Sequence, residues 1–279
     1  MADVQTSNSR GTAPWRAALP MYDLPELRAA HERLWARIAE ALRDANFHHA
    51  PSTLTWDEPP ESTWRAPDLL FGQTCGYPLM TELRDSVRVV GAPVYRAEGA
   101  VGATYRSIII VPNLESASSI AGLRGAVAAI NQRGSHSGEN ALRHLVAPHA
   151  SNGHYFAEVV ETGSHLASVE LVARGRADVA AIDSVTLTLL AKLYPDLVAR
   201  VRRLTMTESV PSLPFITAAD ESTATILRGA LNVALADPEL ADVRETLLLE
   251  SVEPVTHADY EPIVAMEADA GARGYPEIR

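Results

Sequence analysis

The segment Asn131–Gly138, NQRGSHSG, carries the densest set of groups able to bind an anion. It follows a predicted strand and opens a predicted helix that runs to about Val146. Backbone N–H groups in the first turn of a helix lie at the positive end of its dipole and bind phosphate-like anions. Ser135, His136 and Ser137 add side-chain donors. The segment predicts a site for a phosphate-like anion or a carboxylate, with a serine that only caps the helix as the alternative.

The same segment nearly matches two catalytic motifs and departs from both. In the G-x-S-x-G turn of α/β-hydrolases the central residue is the serine nucleophile, whereas here it is His136. A phosphate-binding P-loop needs a lysine after its last glycine, and none follows Gly138. Serine hydrolysis and nucleotide hydrolysis of these two types are therefore not predicted.

Two further strand-to-helix junctions carry polar side chains. At Gly163-Ser164-His165 the helix dipole is expected to lower the pKa of His165, which can still donate one N–H to an anion. A histidine that only bonds a backbone carbonyl is the alternative there. Asp183 and Ser184 occupy the other junction.

The segment FGQTCGYP, residues 71–78, places Gln73, Thr74 and Tyr77 beyond a predicted strand end, beside glycines that allow close backbone approach. Cys75, the only cysteine, is either a nucleophile with a histidine partner or a small apolar filler, and we favour the filler. The nine histidines show none of the spacings typical of metal sites, so we expect no metal and no cofactor.

Composition excludes several classes of protein. The chain has 279 residues, of which 47% are hydrophobic and 21% charged, as in a globular protein of one large or two medium domains. The net charge is 24 − 35 = −11, which disfavours nucleic acid and anionic membranes as partners. No apolar run approaches the ~20 residues of a membrane span, so no membrane insertion is expected. Residues 1–14 are predicted to form a disordered tail and show no signal peptide. We therefore expect the chain with this sequence to be cytoplasmic, and to be periplasmic if a leader is missing from it.

Short strands alternate with helices from Pro67 onward, which predicts an α/β architecture with mostly parallel sheets. Ligands bind beyond the carboxyl ends of such strands, which directs attention to 72–77, 131–138 and 183–184. After Leu249 no pattern is visible, and that part is predicted to be irregular.

Three stretches together resemble a known family. They are PDLLFGQTCGYPL, LRGAVAAINQRGSHSGENALR and ETGSHLASVELVARGRADVAAIDSVT. Over roughly residues 15–217 the chain resembles the phosphonate-binding (PhnD-like) solute-binding proteins of ABC transporters. The resemblance implies a two-lobed type II periplasmic-binding-protein fold with the ligand cleft between the lobes. Lobe one would comprise 15–106 plus 205–279, and lobe two 107–204.

The resemblance also implies which residues touch the ligand. The phosphorus group would rest on Ser135, His136, Ser137 and Gly138 with His165 beside it, under first-lobe residues Tyr22, Gln73, Thr74 and Tyr77, while Asp183 and Ser184 reach its other end.

The function expected on this basis is non-enzymatic binding of phosphonate, phosphite or phosphate by a monomer, with an ABC permease as partner if the chain is exported. Two alternatives stay open at this point. One is a cytoplasmic ligand sensor. The other is an enzyme on the same fold, using His136 or His165 as base or Cys75 as nucleophile.

Overall fold

The computed structural model describes residues 14–279, so the predicted tail lies, except for Pro14, outside the described residues. Twelve strands are present in this part of the chain. They are β1 Arg16–Ala18, β2 Leu69–Gln73, β3 Arg88–Tyr95, β4 Thr104–Tyr105, β5 Ser107–Pro112, β6 Val127–Ile130, β7 Glu158–Glu161, β8 Val179–Asp183, β9 Val201–Met206, β10 Val210–Pro211, β11 Phe215–Thr217 and β12 Leu249–Glu253.

The α-helices alternate with these strands. They are α1 Arg28–Asp44, α2 Pro60–Trp64, α3 Gly76–Thr81, α4 Ala141–Val146, α5 His165–Ala173, α6 Ser184–Leu193, α7 Pro195–Val198, α8 Glu221–Ala236, α9 Ala241–Leu247 and α10 Glu261–Ala272. Short 3₁₀ turns occupy Pro20–Tyr22, Pro25–Leu27, Ile120–Leu123, Ala147–His149, Pro238–Leu240 and His257–Tyr260, and a π-helical turn spans His136–Asn140.

The strands form two five-stranded mixed sheets, in the orders β1-β2-β11-β3-β12 and β7-β6-β8-β5-β9. In the first sheet β1, β2 and β3 run in one direction, opposite to β11 and β12. In the second sheet β5 runs opposite to the other four strands. The carboxyl ends of β2, β6, β7 and β8 each lead toward a helix, which is the geometry that directs helix N-termini at a ligand.

Aromatic stacking anchors the core of the first sheet. The Phe71 ring stacks on Trp35 of α1 and on Phe215 of β11, with centroid distances of 5.7 and 5.1 Å. Helices α1 and α8 bury their apolar faces here, and Leu34 and Leu231 are almost completely buried.

The second sheet is buried on both faces. Ile108 and Ile110 pack against residues of α5 and α6, while Ile109 and Val111 pack into a separate core with α4 and the C-terminal Tyr275 and Ile278. Since side chains of a strand alternate between faces, both must be covered to bury this run. That explains why the sequence is continuously apolar there.

The chain passes between the two sheets at 96–106 and again at 207–214, where β4 and β10 pair antiparallel. The division into lobes at 106/107 and 204/205 stays a prediction. None of the helices in residues 14–279 has both the length and the apolar character needed to cross a bilayer.

The prediction of an irregular C-terminal part is wrong. Strand β12 forms the edge of the first sheet, and α10 packs against α3 and α4. Both elements bury few side chains. Only Leu249 and Val252 of β12 are buried, and α10 buries Ile263, Met266 and Ala270 in a sequence otherwise rich in acidic and small residues. Their apolar pattern is therefore weak.

Candidate functional site

A cavity of about 310 Å³ lies where the segments after β1, β2, β6, β7 and β8 meet. Five of the predicted site residues contribute to its lining: Tyr22, Ser135, Ser137, His165 and Asp183. These residues come from distant parts of the sequence, so the fold brings together the junctions that the sequence singled out.

The turn after β6 presents its hydroxyl groups to the cavity. Ser135 Oγ accepts the Gly138 N–H at 3.3 Å and lies 3.4 Å from Ser137 Oγ. A Cβ at position 138 would collide with Asn131 Oδ1, so glycine allows the close approach of the turn to β6. The turn is π-helical, and the α-helix predicted from here begins only at Ala141. Ser135 therefore caps the turn, and Ser137 has a different partner.

That partner is His165. Its Nε2 lies 2.8 Å from Ser137 Oγ, and its Nδ1 is buried without a hydrogen-bond partner among the described residues. Burial lowers the pKa of His165 to about 4, so the ring is neutral at pH 7. From the sequence we expected the helix dipole to lower the pKa of His165. In the structure the cause is desolvation by burial. Ser164 caps α5 through the Ala167 N–H at 3.1 Å.

His136 lies outside the cavity lining, although it sits between the two serines. Its ring is 1% exposed, its Nδ1 is 3.2 Å from Asn140 Nδ2, and it meets the Tyr105 ring edge-on at a centroid distance of 6.4 Å. Burial lowers the pKa of His136 to about 3. The side chain is thus a neutral core group, and only its backbone belongs to the turn.

Cys75 is buried and lines the cavity. It precedes the first residue of α3, and its Sγ accepts the His136 N–H at 3.4 Å. Burial raises the pKa of the Cys75 thiol above its usual range, with backbone N–H groups opposing the shift. The protonated thiol therefore sits between the start of α3 and the turn after β6.

Asp183 is a buried carboxylate at the other side of the cavity. Its Oδ1 accepts the Thr186 N–H at 2.8 Å as the cap of α6, and Tyr22 OH donates to its Oδ2 at 3.3 Å. Burial raises the pKa of Asp183 to about 6, although these hydrogen bonds lower it. Burial, with Asp183 next to it, also raises the pKa of Tyr22 well above its ordinary value.

Six predicted site residues do not contribute to the lining: His136, Gly138, Gln73, Thr74, Tyr77 and Ser184. Gln73 Nε2 donates to Tyr95 OH at 3.0 Å and to Leu213 O at 2.9 Å. Tyr77 OH donates to Glu267 Oε1 at 2.7 Å. Thr74 and Ser184 are fully buried. Their hydrogen bonds and burial take these side chains away from the cavity.

The sequence missed the apolar part of the lining. It consists of Pro20, Met21, Leu24, Pro25, Pro60, Trp64, Leu166, Leu189 and Leu213. Trp64 Nε1 donates to Gln73 O at 2.8 Å, which fixes the indole ring against the end of β2. Apolar residues in a proline-rich loop carry no chemical signature, so only the folded arrangement reveals this wall.

Polar residues Asn131 and Gln132 also line the cavity, as does Asp23. Within residues 14–279 no group of three or more His, Cys, Asp or Glu side chains is arranged to hold a metal ion. The site as a whole combines uncharged donors at one side with an apolar wall and one buried carboxylate.

Comparison with known proteins gives one family. The model of the family described as periplasmic substrate-binding proteins of phosphonate ABC transporters matches residues 67–260. A search of curated proteins found no match.

Solved structures share the fold at low sequence identity. A binding protein component of an ABC phosphonate transporter from Pseudomonas aeruginosa is 13% identical, with a TM-score of 0.75 over 94% of this chain and 88% of that one. PhnD1 from Prochlorococcus marinus, in complex with methylphosphonate, is 14% identical, with a TM-score of 0.71 over 92% and 98%. A Xanthomonas citri protein bound to ATP is 16% identical, with a TM-score of 0.68 over 94% and 98%. The fold is the two-lobed type II periplasmic-binding-protein fold.

Proposed function

The chain belongs to the family of periplasmic substrate-binding proteins of phosphonate ABC transporters, and on that premise we propose that it binds an organic phosphonate in the cavity. The phosphonate oxygens lie on the turn Ser135–Gly138, and the organic substituent lies against the apolar wall. The observation that carries the proposal is the convergence of Ser135, Ser137 and His165 at one side of the cavity.

These groups suit an oxyanion without a positively charged side chain. When the neutral imidazole donates its Nε2–H to Ser137 Oγ, the two serine hydroxyls each offer one donor to the anion. Hydrogen bonds to a charged group contribute about 1.5–3 kcal/mol each. The Cys75 thiol lies next to the same turn. Such a site supplies local attraction in a protein whose net charge of −11 repels anions.

The size and lining of the cavity favour an organic substituent over a bare inorganic oxyanion. A volume of about 310 Å³ corresponds to roughly ten water molecules at ~30 Å³ each. The residues Met21, Trp64 and Leu189 present apolar surface that inorganic phosphate or phosphite leaves in contact with water. Methylphosphonate in the Prochlorococcus protein is consistent with this ligand class.

The contact between Ser137 and His165 resembles a nucleophile and its base, so the enzyme alternative needs an argument of its own. Nucleophilic catalysis by serine also requires a group that orients the histidine. His165 Nδ1 has no partner among the described residues, and the Cys75 thiol is held protonated by burial. These observations favour reversible binding without turnover, and with it delivery of the ligand to an ABC permease in the periplasm.

Isothermal titration calorimetry tests the proposal with methylphosphonate, butylphosphonate, phosphite and phosphate. We expect the phosphonates to bind more tightly than phosphite and phosphate. Ser137→Ala and Ser135→Ala should each weaken methylphosphonate binding tenfold or more, since ~1.4 kcal/mol is a factor of ten. Ser251→Ala, an exposed serine on β12, is the matched control and should change nothing. Serine variants that bind like the wild type would refute the placement of the anion.

A further inference from the structure

The charged groups at the cavity are all acidic. The lining contains Asp23 and Asp183 but, within the described residues, no lysine or arginine. Asp23 is neutralised by Arg28, whose Nε and Nη2 donate to it at 2.7 and 2.8 Å. Asp183 has no cationic partner among residues 14–279; it accepts from Thr186 N–H and Tyr22 OH, and the backbone N–H of Val185 also stabilises the carboxylate. An ionised Asp183 therefore leaves one uncompensated negative charge at the cavity.

The other titratable groups around the cavity are neutral near and above pH 7. On α5 and on the turn, burial lowers the pKa values of His165 and His136 to about 4 and 3. At the start of α3, burial raises the pKa of Cys75, and on Pro20–Tyr22 burial raises that of Tyr22.

The arginines on the adjoining segments are paired with carboxylates: Arg28 with Asp23, and Arg133 with Glu139 at 2.8 Å. Burial raises the pKa of Tyr95 on β3 and that of Tyr105 on β4. At the rim, Gln132 Nε2 donates to the carboxylate of Glu61 at 3.3 Å. The field at the ligand is therefore set by neutral donors, by Asp183 and, at the rim, by Glu61.

We infer that the site selects its phosphonate in the singly protonated, monoanionic form, because Asp183 repels a second negative charge. A dianion would have to leave water for a buried site that supplies no cation, and burial of an unpaired charge is costly. The monoanion keeps one P–OH group, whose proton needs an acceptor. The acceptor that lines the cavity is the carboxylate of Asp183.

The inference rests on the proposed function and predicts how the apparent Kd changes with pH. When only one form of a ligand binds, the apparent Kd equals the intrinsic Kd divided by the fraction of that form, the same relation that governs a partly populated binding state. The second ionisation of a phosphoryl group lies near neutral pH, about 6 in a phosphomonoester. The apparent Kd should therefore rise about tenfold for each pH unit above the second pKa of the ligand.

The experiment is calorimetry between pH 7 and 9, a range above the pKa of Asp183, which burial raises to about 6. The probes are methylphosphonate, chloromethylphosphonate, whose second pKa is lower, and methyl methylphosphonate, a monoester that stays a monoanion. We expect the rise in Kd to begin at a lower pH for the chloro compound and to be absent for the monoester. A rise that begins at the same pH for both phosphonates would assign the titration to the protein and overturn the inference.

Asp183→Asn tests the role of the carboxylate, because asparagine can still cap α6. The variant should bind dianionic ligand better, so the ratio of Kd at pH 9 to Kd at pH 7 should shrink severalfold. Asp220→Asn is the matched control, since Asp220 caps α8 through the Thr223 N–H at the same 2.8 Å but far from the cavity. A ratio unchanged in Asp183→Asn overturns the role of Asp183.

The two proposals fail in different ways. If no phosphonate binds at any pH, the proposed function is refuted and the inference falls with it. If methylphosphonate binds with a Kd that is constant or decreases from pH 7 to 9, only the inference is refuted.

Discussion

Asp183→Asn should stabilise the unliganded protein at neutral pH and lose that advantage in acid. Burial raises the pKa of Asp183 from 3.8 to about 6, so folding favours the protonated carboxyl. A carboxyl whose pKa is raised in the folded state stabilises the fold fully below pH 3.8, and that contribution is lost as the pH rises through 6. The wild type should therefore lose stability across this window through this one residue.

The magnitude follows from the size of the shift. About two pKa units at 1.36 kcal/mol each give an upper estimate of ~3 kcal/mol, and between pH 4 and pH 7.5 about 2 to 3 kcal/mol of this should appear. Asparagine keeps the cap on α6 but leaves the Tyr22 hydroxyl proton without its acceptor, a loss of about 1 kcal/mol at every pH. The net gain at pH 7.5 should then be ~2 kcal/mol, and at pH 4 it should vanish or reverse.

Urea denaturation of the wild type and the variant at both pH values measures this difference. Asp220→Asn is again the control, and its effect on the free energy of unfolding should depend on pH in the opposite direction. The hydrogen bonds from Thr223 lower the pKa of Asp220, so its stabilising contribution is present at neutral pH and is lost in acid. If the free energy difference between Asp183→Asn and the wild type is the same at pH 4 and pH 7.5, Asp183 ionises normally in the folded protein and the reasoning is wrong.

Two further predictions concern the thiol and the first sheet. Cys75 is the only cysteine and lines the cavity, so methylphosphonate at a hundred times its Kd should slow maleimide labelling about a hundredfold. A labelling rate that saturating ligand does not change would place the thiol outside the site. Gly91→Ala should destabilise the protein by ~1–3 kcal/mol, because its Cβ would lie 2.7 Å from Val252 Cγ2 and 2.9 Å from Glu253 O. Gly229→Ala has open space on α8 and should instead stabilise by ~0.5–1 kcal/mol in the same denaturation assay; equal effects of the two glycines would contradict the packing of β12 on β3.

The alternation of strands and helices predicted the α/β class, because the elements of the second sheet have strong local signals. The antiparallel pairing of β5 with β8 and β9 has no such local signal. The run at Val179–Asp183 is apolar and bounded by Gly175 and a helix cap, and the structure has β8 at those residues. Strand β12 and helix α10 escaped prediction because the sheet edge and the helix surface leave most of their side chains in water. Their positions follow from tertiary packing, which a local pattern does not record.

In the candidate site too, residues with a local chemical signal were predictable and those placed by tertiary contacts were not. Serines and a histidine at strand ends have chemical signatures, and Ser135, Ser137 and His165 do meet at the cavity. Whether a polar side chain faces the cavity depends on its partner, which is why Tyr77, bonded to Glu267, lies elsewhere.

The acidic character of the protein and the uncharged donors of the proposed anion site are related. The protein has a net charge of −11. An arginine in the cavity would attract any anion, whereas hydroxyls and a neutral imidazole bind well only a ligand whose acceptors match their directions. The ionised Asp183 repels a second negative charge on the ligand. Its own ionisation also lowers the free energy of unfolding of the protein at neutral pH. A buried carboxylate that weakens the fold at neutral pH is difficult to explain by packing alone. The proposed discrimination of charge state would give it a function, and Asp183→Asn should separate the two effects by gaining stability while losing selectivity.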